Sequence, residues 1–177
     1  MIKHSSAVLF SNGWKPGYDA AVKADPKVIG DLLATCGQLA SMAEQFRVDG
    51  YAIRNLGLKS LGKKFYPGWH QDLEGHLNKM LKQVFNFGED PSYQMLPAQS
   101  RGDIRALFTR DITALNQLFL ALCERRKAAW NIRADYVPDL YEHAIESVQC
   151  QINHIERWLR IIAGIGAGDF VGALVEA

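Results

Sequence analysis

Three side chains that could coordinate a metal ion lie in one column along the last long helical pattern of the chain. Glu146, Cys150 and His154 recur at intervals of four residues and therefore share one face of a helix. A carboxylate, a thiol and an imidazole are all ligands for metals. No second helix offers a carboxylate opposite this column, so the favoured interpretation is that the three are ordinary helix positions.

His143 precedes His154 by three helical turns and returns to nearly the same face. It could extend a polar inner channel, but we favour a surface or interface position in the first turn of the helix. The basic cluster Arg125-Arg126-Lys127 ends another helical pattern, where cations complement the helix dipole. Neither feature indicates an active site by itself.

Other kinds of chemistry have no visible motif. The chain lacks a G-x-S-x-G sequence and a readable Cys-His pairing with a third orienting residue. The glycines at 164, 166 and 168 follow a helical pattern instead of opening one after a strand, so we interpret them as helix terminators and not as a phosphate cradle.

Composition places the chain among cytoplasmic globular proteins without a membrane span. The 20 basic and 19 acidic residues nearly cancel, which gives no electrostatic drive toward nucleic acid or an anionic membrane. No apolar run approaches the roughly 18 residues of a transmembrane helix, and the start of the chain does not resemble a signal peptide. Three widely spaced cysteines indicate reduced thiols.

The elements that must position these side chains are helices. Residues 1–24 lack periodicity and contain Asn12-Gly13 and Pro16-Gly17, so we expect an irregular N-terminal extension. Residues 25–177 then form one helical domain, with Asp25 and Pro26 opening the first helix. Apolar residues spaced by three and four predict helices near 26–56, 69–87, 102–131 and 137–163, and a short fifth helix near 169–176.

The connection between the second and third helices is the longest. Its sequence, PSYQMLPAQSRG, contains two prolines and no helical stripe, and its length suits a crossover between distant ends of a bundle. Ser100 and Asp103 are spaced as a capping box for the third helix. The predicted fold class is all-α: a four-helix bundle with a long crossover and a short C-terminal fifth helix.

The sequence resembles bacterioferritin, of the ferritin-like superfamily, over roughly residues 26 to 176. No single segment is specific, but their order and spacing together carry the resemblance. The matching segments are KVIGDLLATCGQLASMAEQF, RNLGLKSLGKKFYPGWHQDLEGHLNKMLKQVF, QINHIERWL and GIGAGDFVGALVE.

That resemblance implies a di-iron centre held by one Glu from each of the first and third helices and Glu-x-x-His from each of the second and fourth. The matching positions here are Leu39, Leu73-x-x-His76, Leu115 and Gln151-x-x-His154. All four carboxylates are absent, so we expect no working ferroxidase centre, no catalytic residues and an interior converted toward plain hydrophobic core.

The resemblance also indicates two positions where a cofactor could bind, one for a metal ion and one for haem. His76 and His154, with Gln151 or Cys150, could hold a residual mononuclear zinc or copper ion; the favoured alternative is a pair of buried neutral histidines. The position of the methionine that grips haem is Glu74, a poor ligand for a low-spin haem. We therefore expect neither a resident metal nor haem.

The first functional hypothesis is a non-catalytic or accessory bacterioferritin-like subunit that forms at least a homodimer and contributes to an iron-storage shell, alone or with an active subunit. The alternative is an interaction subunit with a ferritin fold, which docks through residues 1–24 onto an unrelated complex. A third hypothesis is an enzyme with a new metal at His76 and His154.

Overall fold

A computed structural model describes residues 25–99, 102–132, 134 and 136–175. These residues are almost entirely helical and include no strand, which confirms the predicted all-α class. Residues 1–24 and Ser100 lie outside this part of the chain. The helices are α1 (Pro26–Asn55), α2 (Tyr66–Asn86), α3 (Ile104–Asn131), α4 (Val137–Ile165) and α5 (Ala167–Val175).

Two aspartates begin helices by accepting backbone hydrogen bonds that the first turn leaves unpaired. Asp25 accepts from the Lys27 amide at 2.8 Å, as the sequence predicted for α1. At α3 the N-cap is Asp103, which accepts from the Ala106 amide at 2.8 Å. The helix therefore starts after Asp103, and the prediction that Asp103 is the fourth residue of a capping box is wrong.

Glycines in the left-handed region follow three of the helices. Gly57, Gly88 and Gly166 have φ angles of 92°, 80° and 86°, and each comes just after α1, α2 or α4. Gly164 instead lies inside α4. Asp169, where the fifth helix was predicted to begin, lies in the first turn of α5, because that helix begins at Ala167.

The second helical segment starts before Pro67-Gly68, contrary to the prediction. A π-helical turn, Leu61–Phe65, runs directly into α2. Pro67 has no N–H to donate, and it lies just where the hydrogen-bond pattern changes from the wider π spacing to the α spacing. The proline is tolerated there, so it does not delay the helix.

The helices pack as two antiparallel pairs. The helix α1 lies beside α2 and α3, whereas α4 lies beside α3 and α2. Along α3, Arg110 contacts Asp49 near the end of α1 and Arg125 contacts Thr35 near its beginning, so these two helices run in opposite directions. Since α2 is also antiparallel to α1, the helices α2 and α3 point the same way and need a crossover between them.

That crossover lies along α1. Residues 94–99, which we call the crossover strap, are attached by hydrogen bonds from the Leu96 amide to Ser41 Oγ (2.8 Å) and from the Gln99 amide to Gln45 Oε1 (2.9 Å). A Cβ atom at Gly37 would lie 2.5 Å from the carbonyl oxygen of Gln94. Glycine at this position therefore lets the crossover strap approach the helix closely.

The core combines aliphatic side chains from all four long helices with an aromatic cluster where α2 begins. The rings of Trp69 and Trp158 stack with centroids 5.4 Å apart, and Phe46 and Phe108 pack against them. Such ring pairs add about 0.5–1.5 kcal/mol each beyond burial. Within the described ranges, no helix is both long and apolar enough to cross a bilayer.

Candidate functional site

Three of the positions that the resemblance assigned to iron ligands are occupied by completely buried leucines. Leu39, Leu73 and Leu115, from α1, α2 and α3, have no exposed surface and belong to the hydrophobic core. A leucine side chain offers no lone pair to a cation and fills the volume a ligand would need. Glu44, the nearest carboxylate on α1 that could replace Leu39, instead bonds Arg47 at the surface.

The fourth position, Gln151, lies at a cavity between α2 and α4. The cavity has a volume of about 410 Å³. His76 and Gln151 are both at its inner end, with 8% and 1% of their surfaces exposed. The side chains that line the cavity are Trp69, Asp72, His76, Lys79, His143, Glu146, Ser147, Cys150 and Gln151.

Gln151 is held by a small polar network at the inner end of this cavity. Ser147 Oγ donates to Asp72, and Gln151 Nε2 lies 3.3 Å from Ser147 Oγ and 3.4 Å from Asp72 Oδ2. The opposite atom of the same amide, Oε1, is buried and has no hydrogen-bond partner among the residues that the structure describes. The amide oxygen is therefore a buried acceptor that the network of Ser147 and Asp72 does not satisfy.

The buried surroundings of His76 favour its neutral form. Burial lowers its pKa, and the carboxylate of Asp72, whose Oδ1 lies 3.7 Å from His76 Nε2, opposes that shift. A neutral imidazole keeps one nitrogen lone pair, as metal or proton binding requires. Within the described part of the chain, however, no three His, Cys, Asp or Glu side chains are grouped closely enough to hold a metal ion.

His154 lies in a different environment from His76. Its ring centroid is 5.4 Å from that of Phe65 and 6.0 Å from those of Trp69 and Trp158. The imidazole packs among aromatic rings and is not one of the side chains that line the cavity. The resemblance implies that His154 and the three leucines converge with His76 around one point. This stays a prediction.

The remaining predicted candidates on α2 and α4 are at the surface. His143 and Glu146 are exposed side chains 3.9 Å apart at the mouth of the cavity, as favoured from the sequence. Glu74, at the haem position, is half exposed and pairs with His70 at 3.4 Å. Met80, a methionine further along α2, is completely buried in the core.

The sequence interpretation missed a buried charged cluster between α1 and α3. Asp49 and Asp111 have no exposed surface. Arg110 Nη2 donates to Asp49 Oδ2 at 2.6 Å and lies 3.4 Å from Asp111 Oδ1. Tyr66 donates its hydroxyl to Asp111 Oδ2 at 2.7 Å. The core is hydrophobic at the three aligned leucine positions, as expected, but the interior also contains this charged cluster, which the sequence did not lead us to expect.

A signal for this cluster exists in the sequence. Asp49 follows Phe46 by three residues and Asp111 follows Phe108 by three, so both aspartates continue the apolar stripes of their helices. Ile112, next to Asp111, also fits the apolar stripe of α3, so the stripe can be assigned without including the aspartate. Only the packing of α1 against α3 shows that the two carboxylates face each other.

The burial of Asp49 beside Asp111 favours a proton on one of the two side chains. Burial, together with the neighbouring carboxylate of Asp49, raises the pKa of Asp111 to about 8, although the Tyr66 hydrogen bond and Arg110 oppose the shift. Asp111 is then largely protonated near neutral pH, while Asp49 pairs with Arg110. The buried Oδ1 of Asp49 has no other partner among the described residues, and a proton on Asp111 would supply one.

This cluster is not built as a metal site. A guanidinium already lies against both carboxylates, so a divalent cation would meet a positive charge at short range. The arrangement supports proton exchange between two acids, and it links α1, α2 and α3 through hydrogen bonds.

No model of a known protein family matches the chain, and a search of curated proteins finds no match to it either.

Proposed function

We propose that the protein is an accessory, non-catalytic subunit related to bacterioferritin, which contributes to an oligomeric assembly without a working ferroxidase centre. The observation that carries the proposal is the combination of a crossover bundle with three fully buried leucines at the aligned ligand positions. A bundle whose second and third helices point the same way requires such a crossover, and ferritin-like proteins have one.

The buried aspartates do not restore the missing centre. Oxidising two ferrous ions adds positive charge that anionic ligands must compensate. Asp49 is already paired with Arg110 at 2.6 Å, and Asp111 is protonated near neutral pH. Neither carboxylate is free to take an iron ion without expelling the guanidinium.

The test combines particle size with iron oxidation on the purified full chain. Light scattering should give a mass that is a multiple of the 19.8 kDa subunit, and ferrous iron should oxidise no faster than in buffer. A monomer would contradict the subunit proposal. Rapid oxygen-dependent oxidation by the chain alone would contradict the accessory role, and elemental analysis of the same sample would reveal a bound metal.

A second candidate function is an interaction subunit of an unrelated complex. It is favoured by apolar side chains exposed near the junction of α3 and α4, where Trp130 and Tyr136 are 68% and 63% exposed and Ile132 is 43% exposed. The docking arm of the original hypothesis, residues 1–24, lies outside the described residues. Under this candidate, the particle is small and these side chains become protected when a partner is added.

A further inference from the structure

Another cavity lies on the opposite pair of helices from the α2–α4 cavity. It is enclosed by α1, α3 and the crossover strap, and its volume is about 430 Å³. Ligand cavities for small molecules typically measure about 300–1,000 Å³ and are mostly apolar with a few convergent polar groups.

Its walls are mostly apolar, with several glutamine side chains among them, and the polar region that carries the charges lies at Arg110 and Asp111. Leu33, Met42 and Leu118 contribute hydrocarbon, whereas Arg110 and Asp111 bring the edge of the buried charged cluster to the cavity. Apolar walls select a molecule with a hydrocarbon portion, because removing apolar surface from water is worth about 25 cal/mol per Å².

The polar region has unused donors. Arg110 reaches both aspartates through Nη2, which leaves Nη1 and Nε without a protein partner among the described residues. Its positive charge is already balanced by Asp49 at 2.6 Å. An acceptor that carries no charge can bind these donors without adding an unpaired charge to a buried cluster.

We propose that this cavity binds an uncharged, mainly apolar small molecule whose head group, an amide or a hydroxyl, accepts a hydrogen bond from Arg110. Asp111, protonated near neutral pH, keeps the cluster electrically balanced. The crossover strap forms one wall of the site, and its hydrogen bonds to Ser41 and Gln45 hold that wall on α1.

The proposal can be tested with three compounds that share one tail: octanamide, octanoate and octylammonium. Isothermal titration calorimetry on the full chain at pH 7 should show saturable binding of octanamide. Each charged compound should bind at least about tenfold more weakly, since a tenfold ratio needs only about 1.4 kcal/mol of charge penalty. No binding of octanamide, or equal or tighter binding of a charged compound, would overturn the proposal.

Variants then locate the binding. Ala114→Leu and Ala34→Leu each add a side chain that fills part of the cavity, and each should weaken octanamide binding by about tenfold or more. Ala34 is exposed, so that variant folds even where Ala114→Leu does not. Ala163→Leu, at an exposed position on α4, should bind as the parent does. Equal binding by all variants, or equal loss in all, would also refute the site.

Discussion

Asp49 and Asp111 are the residues whose chemistry most depends on the fold. Each would be ionised in water, but complete burial together with a like neighbour makes a second buried negative charge costly. One proton and one guanidinium remove most of that cost. The cluster thus contains one negative carboxylate and one positive guanidinium, whose charges cancel. The second acid keeps its proton and acts as a hydrogen-bonding group.

A pH dependence of stability follows from Asp111. The folded chain keeps its proton up to a pKa of about 8, whereas the unfolded chain loses it near the ordinary aspartate pKa of 3.8. Between these values the unfolded state binds fewer protons, so stability falls as pH rises, by up to about 1.4 kcal/mol per pH unit. We expect Asp111→Asn, which stays neutral, to flatten this slope in urea unfolding between pH 6.5 and 7.5.

The contribution of His76 has the opposite sign to that of Asp111. Because its pKa is lowered in the folded chain, stability falls as pH falls through the ordinary value of 6.5, and Asp111→Asn leaves this contribution in place. The matched control is Asp90→Asn, the same chemical change at an exposed position, which should keep the slope of the parent. Parallel slopes for the parent and Asp111→Asn would show that Asp111 ionises normally.

The hydroxyl of Tyr66 has a measurable role in the same cluster. It donates to Asp111 Oδ2 at 2.7 Å, so Tyr66→Phe leaves a buried acceptor unpaired. The expected loss is about 1–3 kcal/mol in the free energy of unfolding at pH 7. Tyr51→Phe, at a side chain that is 54% exposed, should change it by less than about 0.5 kcal/mol. Similar losses in both variants would mean that the buried hydrogen bond contributes nothing.

At the scale of elements, the sequence predicts what depends on neighbours along the chain. The four long helices were placed within two or three residues at most ends, because Asp25, Gly57, Gly88 and Gly166 act locally. The π-helical turn was missed, since its residues have the same helical character as an α-helix and only packing selects the wider spacing.

Close packing of the first two helices explains that turn. A Cβ atom at Gly62 would lie 2.6 Å from the Gly50 carbonyl oxygen and 2.5 Å from Arg54 Cγ, so the helices meet backbone to backbone. Gly62→Ala should therefore destabilise the protein by about 1–3 kcal/mol, as overpacking does. Thermal or urea unfolding measures the change.

The contrasting variant is Gly75→Ala, in the same helical segment. A Cβ atom there meets nothing within 4 Å, and replacing a helical glycine by alanine typically adds about 0.5–1 kcal/mol. The two substitutions should thus have opposite signs. A stabilising effect of both would show that α1 and α2 can separate at the π-helical turn without cost.

At the scale of the whole molecule, the candidate site was only partly predictable. The burial of Leu39, Leu73 and Leu115 follows from their helical stripes, and the structure agrees. Which side chains meet across helices depends on tertiary packing, so the aromatic environment of His154 and the Asp49–Asp111 pair could not be predicted from spacing alone. The interior still contains charged side chains, but they lie between α1 and α3, around the guanidinium of Arg110, and not at the aligned ligand positions.

The accessory role predicts that metal binding can be rebuilt on the bundle. Leu73→Glu combined with Gln151→Glu gives Glu-x-x-His on both α2 and α4, the pattern that ferritin-like proteins use for half of their di-iron ligands. Two buried carboxylates without a cation should lower the stability of the metal-free variant. Zinc that binds only the folded state should then raise it, by about 2.7 kcal/mol at a concentration 100 times the dissociation constant.

Thermal unfolding with and without zinc measures this gain. The control is Leu81→Glu combined with Gln149→Glu, which places the same residue types on the same two helices outside the motif and should show no such gain. The unmodified chain should not respond either, because Leu39, Leu73 and Leu115 supply no ligand. If zinc stabilises the control as much as the motif variant, or neither of them, then α2 and α4 do not bring these positions together, and the bacterioferritin-like alignment on which the accessory role depends is wrong.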